Sequence, residues 1–451
     1  MLRIGSASLF ALALIAAPLA YAGDAGDPGD QEMDQVIRRD SPTPLSLKIT
    51  KDDWIGIEGK IKTQTTKVKS AAVKEVLYSD RVPEYLDGLE YFRNQKYVAA
   101  ARNFLKALEK LKEKSKWSVE YCNYFIGEAL YNQGKFEVWK DSKGIEYQPP
   151  SAYFLEVVKA NGGRSRFAPE AAIRAAASLA EEGKLDEAEK QATEADKVIK
   201  KWKEEVNAAD PEAYTKAVKR VETLVAIARA HILERREDAK ANEAERDYGK
   251  AIAAYRAAES LSKTNAFGDL YTDVIETTLF LLANASKWDD VKSRAQALME
   301  DYKRKPDTTL LNLLPSAYIA RGRAFLAEAV QYTKDGNIPQ ANESYANARL
   351  DFLSVTVQFF DKEEHLPEAN YRAGACYEQL KALEPDAAEK AVRHYKIVST
   401  QYASNKRFKD LADEGLKRLG AADAAAGGGG DAPKPKDPKD APKPTPAPAP
   451  K

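Results

Sequence analysis

The chain has 451 residues, with 69 Lys+Arg against 69 Asp+Glu, 44% hydrophobic and 31% charged residues. That length admits two to four domains or one extended array, and the zero formal charge excludes a general nucleic-acid binder, which needs a basic excess. Two cysteines exclude a disulfide framework or a zinc site built from four cysteines, and three scattered histidines, His231, His365 and His394, leave little for a histidine-based catalytic centre.

The N-terminal residues carry Arg3, an apolar run from Leu9 to Ala17 and the small-residue exit Ala20-Tyr21-Ala22. This is the build of a secretory signal peptide over residues 1–22, with cleavage expected after Ala22. The apolar core is short for a membrane anchor, the competing reading. No cysteine follows it, so no lipoprotein anchor is available at this site. The mature protein is expected to be exported, periplasmic or extracellular, and soluble. Residues 23–33 read as a flexible linker.

Residues 34–80 form a small β-rich segment. Val, Ile and Thr alternate through 35–37, 45–49, 54–57, 60–63 and 67–69, with turn signals at 41–44 and 51–53. Five short strands suit a small SH3-like or Sm-like barrel, and a core this small must lean on its neighbours. Trp54 could stack on a ligand, but its alternating position favours the core.

From residue 81 to 420 the apolar period becomes helical. Tyr85, Gly88 and Tyr91 are followed by Tyr97, Ala100, Phe104 and Ala107. The second series recurs as Leu185, Ala188, Ala192 and Ala195; as Tyr248, Ala251, Tyr255 and Ala258; as Trp288, Val291, Ala295 and Leu298; and as Ile338, Ala341, Tyr345 and Ala348. The small-then-bulky pair of the first helix returns as Gly127 and Leu130, Gly322 and Phe325, and Gly374 and Tyr377. A small residue lets one helix approach the next, and the bulky ones fill the space between pairs. No pair buries its apolar face alone, so pairs stack.

These residues resemble the tetratricopeptide repeat, a helix-turn-helix unit of about 34 residues. The resemblance covers roughly 340 residues in about seven units and implies a mainly α fold, an α-solenoid. Long units depart from the pattern: a helix expected to run from Ala213 to Glu245, and a long stretch over 321–334. An insertion after Phe136 ends where helix resumes near Ser151. Lys406 to Leu419 reads as a capping helix. Residues 421–451, with Gly427 to Gly430 and a Pro/Ala/Lys run, read as a disordered tail.

No catalytic signature is found, and no cofactor or metal is expected. His231 and Glu234 lack a second histidine, so a solvated helix face is the default. Asn161 to Ser165 reads as a turn between helices that could bind an anion. Paired carboxylates such as Glu181-Glu182 carry no acid/base information. Cys122 and Cys376 are expected as buried free thiols. Lysines at 106, 110, 112, 114 and 116, and at 197, 200, 201 and 203, are interleaved with glutamates and read as solvated faces.

The resemblance implies that first helices line a concave groove. In the first unit this places Val82, Tyr85, Leu89, Phe92 and Arg93 there, and in the second Tyr121, Tyr124, Glu128, Tyr131 and Asn132. Tyr, Phe, Arg and Asn make a recognition surface, and the partner-binding candidates are Tyr85, Phe92, Arg93, Tyr121, Tyr124, Glu128, Tyr131 and Asn132. The competing reading packs the aromatics against the β segment or the insertion. The implied role is an exported non-enzymatic scaffold binding a protein or peptide of the cell envelope, without a membrane span or nucleic acid; the alternative is a polysaccharide-binding or processing accessory.

Overall fold

The computed structural model describes residues 33–209 and 211–421. The expected signal peptide, nearly all of the linker and nearly all of the tail lie outside the described residues. The chain divides into two compact units, one ending at Ala320 and the other starting at Arg321.

The first unit opens with an antiparallel sheet of β1 (Asp34–Arg38), β2 (Leu45–Asp52), β3 (Gly56–Ile61), β4 (Gln64–Lys69) and β5 (Val73–Leu77), ordered β4-β3-β2-β1-β5. The first half of β2 pairs with β1 (Asp34 opposite Leu47) and the second half with β3 (Lys48 opposite Lys60). A 3₁₀ turn, Ser70–Ala72, leads from β4 into β5, which pairs with β1. Val36, Leu47, Ile57, Val68, Val73 and Val76 point inward as the core.

Two expected strands, 54–57 and 60–63, are one strand, β3. Asp53 Oδ1 accepts hydrogen bonds from the amides of Ile55 (2.9 Å) and Gly56 (3.2 Å), so the chain turns there and Trp54 leaves the sheet. The other end stops at Lys62, which takes a left-handed φ of 55°.

Helices follow: α1 (Pro83–Arg93), α2 (Tyr97–Leu111), α3 (Lys116–Asn132), then a short hairpin of β6 (Trp139–Lys140) and β7 (Glu146–Tyr147). Next come α4 (Pro150–Gly163), α5 (Ala168–Glu181), α6 (Leu185–Ala209), α7 (Pro211–Asp238), α8 (Gly249–Thr264), α9 (Gly268–Asn284) and α10 (Trp288–Arg304). From α1 to α10, apart from the hairpin, each helix packs on its successor. The helix expected to reach Glu245 ends at Asp238: a turn and a short 3₁₀ segment, Glu243–Glu245, precede α8.

The insertion after Phe136 is the β6–β7 hairpin. Asp141 holds it: Arg102 donates from Nε (2.8 Å) and Nη2 (2.6 Å) to Oδ2, while the amides of Lys143 and Ile145 donate to Oδ1. At the end of α4, Asn161, Gly162 and Gly163 all take positive φ, which makes the expected turn into α5.

Helix α11 (Thr308–Lys334) spans the division between the units. The second unit continues with α12 (Ile338–Gln358), α13 (Leu366–Leu380), α14 (Ala387–Gln401) and α15 (Lys406–Arg418). The side chain of Asn405 caps α15 at the amide of Phe408. Phe408, Ala412 and Leu416 pack with Tyr395 in the core of this unit.

Both units share one packing device. A Cβ on Gly88 would stand 2.8 Å from the ring of Phe104, and one on Gly127 would stand 2.9 Å from the ring of Phe154. In the second unit Gly322 meets Phe352 at 2.7 Å and Gly374 meets Tyr395 at 2.9 Å. Only a residue without Cβ allows these approaches, and each ring lies fully buried against the glycine.

Candidate functional site

The eight candidates fall on α1 and α3. Tyr85, Tyr121, Tyr124, Glu128, Tyr131 and Asn132 are buried, none more than 8% exposed. Tyr85 packs edge-on against Phe104 and Trp117. Tyr121 meets Tyr78 of the β segment edge-on and donates to Asp52 at 2.6 Å. Tyr124 stacks on Phe167 (4.3 Å) and donates to Glu170 at 3.0 Å. Tyr131 packs against Phe136 and beneath the Arg174 guanidinium, and Asn132 donates to the Glu128 carbonyl. Phe92 is half-buried against Tyr97 and Phe125. Arg93 is exposed and engaged with both oxygens of Glu75 at 2.6 and 2.8 Å. The six buried side chains present no free area to a partner, because α3 is enclosed by the β segment, α4 and the residues leading into α5.

A different pattern joins the odd-numbered helices. Between α3 and α5, Arg174 Nε lies 2.7 Å from Glu128 Oε1 and Arg174 Nη2 lies 3.0 Å from Oε2. Between α5 and α7, Glu181 pairs with His231 Nε2 at 2.8 Å and with Arg235. Between α7 and α9, Arg220 donates to Asp269 through both terminal nitrogens, at 3.1 and 2.6 Å. Ser316 of α11 donates to Glu276 of α9 at 2.7 Å. In the second unit, Arg323 of α11 forms a bidentate pair with Glu368 of α13, and Arg418 of α15 does so with Glu378 of α13. Polar cross-links therefore run between successive odd helices, beside glycine–ring contacts that bind α1, α3, α11 and α13 to the even helices that follow them.

His231 and Glu234 are wholly buried, which corrects the expected solvated face. Helix α7 packs against α5 and α8, which cover the side of the helix that carries these two residues. Tyr255 of α8 donates to Glu234 Oε2 at 2.8 Å and lies 3.5 Å from His231 Nδ1. Burial raises the Glu181 carboxyl, but His231 and Arg235 outweigh it and bring it down to about 2. Glu181 is thus an anion held between Arg235 and the buried His231, a more particular role than its sequence context suggested.

Asp273 of α9 is the odd member of this face. Among the described residues it forms no hydrogen bond or ion pair. Burial pushes its carboxyl well above the usual range, Glu276 and Asp269 push it the same way, and Arg174 and Arg220 oppose them. The sequence offered no signal for it, since one aspartate on a mixed helix looks like any other.

Several other sequence features are neutralised. Lys110 pairs with Glu84, Lys197 with Glu194 and Lys203 with Glu222, and Lys201 lies over the Trp54 ring. Trp54 is 1% exposed and donates to Glu205 at 2.7 Å, so it packs rather than stacks on a ligand. Cys122 and Cys376 are buried and free. An open cleft of about 480 Å³ between α6 and α7 has Ile199 and Val225 among its lining, with Lys200, Lys203 and Glu222.

Among the described residues, no group of three or more His, Cys, Asp or Glu is placed to hold a metal ion. No described helix is long and apolar enough to cross a membrane. Compared with known proteins, the chain matches no protein-family model and no curated protein.

Proposed function

We propose that the chain is an exported, non-enzymatic scaffold, a tetratricopeptide-type α-solenoid that binds a protein or peptide of the cell envelope. The support for the repeat is the recurrence of one contact, glycine on one helix against a buried ring on another, at Gly88, Gly127, Gly322 and Gly374. In such a stack each pair depends on its neighbours for burial. The strand order and the 3₁₀ turn before β5 support a small SH3-like barrel ahead of it. Export rests on the sequence of residues 1–22.

The partner-binding surface in this reading is the face of α5, α7 and α9 around Asp273, rather than the enclosed aromatics of α3. The observation that carries it is the unpartnered Asp273 beside Arg174 and Arg220, whose own carboxylates are already supplied. A partner group that donates hydrogen bonds would complete the set.

A photo-crosslinking residue placed at position 273 of the mature chain tests this in envelope extract. One discrete partner should crosslink there and not from the exposed Lys190 position, and Arg220→Ala should weaken capture. Equal labelling from both positions would sink the proposal.

A further inference from the structure

The sheet enters the helices through a single turn. Asp52, at the end of β2, accepts at Oδ2 from the hydroxyls of Tyr78 and Tyr121, both at 2.6 Å, and its Oδ1 engages Arg166. Asn161 donates to the Asp52 carbonyl at 2.7 Å. Asp53 pairs with Lys51 at 3.0 Å and with Arg164 at 3.2 Å. The Trp54 amide donates to the Arg164 carbonyl at 3.1 Å, and its indole to Glu205. The turn is held by polar bonds to α3, to the segment between α4 and α5, and to α6.

Glu120 of α3 stands in the middle of this junction, 5% exposed. It is hydrogen-bonded to Ser165, and its Oε2 is buried with no hydrogen-bond partner. The charged and titratable groups facing it are Asp52, Asp53 and Tyr78 from the β segment, Tyr121 from its own helix, and Arg166 from the segment before α5. Asp53 and Glu205 share Arg164. Arg166 is engaged through Nη2 with Asp52 and through Nη1 with Ser70, while its buried Nε has no hydrogen-bond partner. An ionised Glu120 would be a third carboxylate beside an arginine whose two terminal nitrogens are already taken.

We propose that loss of the Glu120 proton releases the Asp52-Asp53-Trp54 turn from the helices, so that the seating of the sheet is a pH-sensitive latch. A bare buried charge is costly, and the junction has two ways to relieve it: hydration of Glu120 by opening, or a swing of the Arg166 guanidinium that turns its unpartnered Nε to Glu120 and draws Nη2 off Asp52. Either one undoes the turn. The β5 edge of the sheet keeps a separate attachment, Arg93 to Glu75 at 2.6 Å, so opening is local to the turn.

Burial, together with the charges of Asp52 and Asp53, holds the Glu120 carboxyl up at about 8, against Ser165 and Arg166. A carboxyl raised in the closed state favours that state at low pH, and the advantage is lost as pH rises toward 8. The opening equilibrium should grow by up to tenfold per pH unit between roughly pH 5 and 8, then level.

Hydrogen exchange of residues 52–57 in the full chain, corrected for intrinsic rates and read from pH 5 to 9, tests the latch. The wild type should show the rise and the plateau, while the α13 and α14 amides do not. Glu120→Gln should remove the pH dependence. Ser165→Ala, which deletes the bond favouring the ionised form, should move the plateau to higher pH. A flat wild-type profile, an unchanged rise in Glu120→Gln, or an unmoved plateau in Ser165→Ala would each overturn the proposal.

Discussion

Gly415→Ala sets two effects of opposite sign against each other in α15. Alanine in a helix interior gains about 1 kcal/mol over glycine. The new Cβ, however, would stand 2.5 Å from Cε2 and 2.7 Å from Cζ of Tyr395. That ring cannot retreat. Its other edge touches the Gly374 backbone, where a Cβ would be only 2.9 Å from Cε1, and its hydroxyl donates to Glu378 at 2.7 Å. Glu378 is fixed in turn by Arg418. Overpacking a rigid core costs about 1 to 3 kcal/mol, and a ring confined on both edges belongs at the upper end. The net expectation is a loss of about 2 kcal/mol. In a Tyr395→Leu background the obstruction is gone, so Gly415→Ala should become stabilising by up to about 1 kcal/mol. Native-state hydrogen exchange of α14 and α15 amides in the full chain measures all four corners of the cycle. The reasoning fails if Gly415→Ala stabilises equally in both backgrounds, which would mean that the ring yields freely.

Arg174→Met should cost about 3 to 5 kcal/mol in urea unfolding, because it strands Glu128 in the interior; Glu128→Gln in the same chain should recover part of that, and a single-variant cost below about 1 kcal/mol would show the pair to be dispensable. Burial raises the Glu368 carboxyl, but Arg323 and Arg372 outweigh it and bring it down to about 2. Its stabilising contribution, about 3 kcal/mol from the shift, is present above the free value near 4.5 and lost as pH falls toward 2; Glu368→Gln should flatten that acid limb in thermal melts, and an unchanged limb would assign it elsewhere. Burial also pushes both thiols up, Cys376 to about 12. Iodoacetamide should therefore leave the native chain unmodified at pH 8 and label Cys122 and Cys376 in guanidinium, whereas labelling without denaturant would contradict their burial.

The helices and their close approaches were legible because they depend on local spacing: Gly88 and Phe104 sit where a helical period and one missing Cβ must coincide. The strand boundaries at Trp54 were not, since alternation continues through 54–57 while the Asp53 side chain breaks the backbone path. The burial of His231 was also illegible. Its segment, Ala230-His231-Ile232-Leu233-Glu234, reads as a helix with one wet side, and only the tertiary arrangement covers that side with α5 and α8. The aromatics of α3 were correctly seen as a cluster, but aromatic composition is the same for a surface that awaits a partner and for one that has found it within the chain. Asp273 illustrates the converse. Its distinction is the lack of a partner, a property of the surroundings rather than of the residue.

The open edge of the sheet has a consequence for the chain in crowded solution. Strand β4 ends the strand order, and an edge strand is the template on which identical chains could add strands. Along it, Lys67 and Lys69 are exposed and only Val68 points inward. Two copies meeting edge to edge would have to strip water from these lysines, Lys67 with its Glu58 partner included, with one small apolar side chain each to offset the cost. The edge of the folded sheet therefore discourages pairing with its own copies, a safeguard written in two side chains.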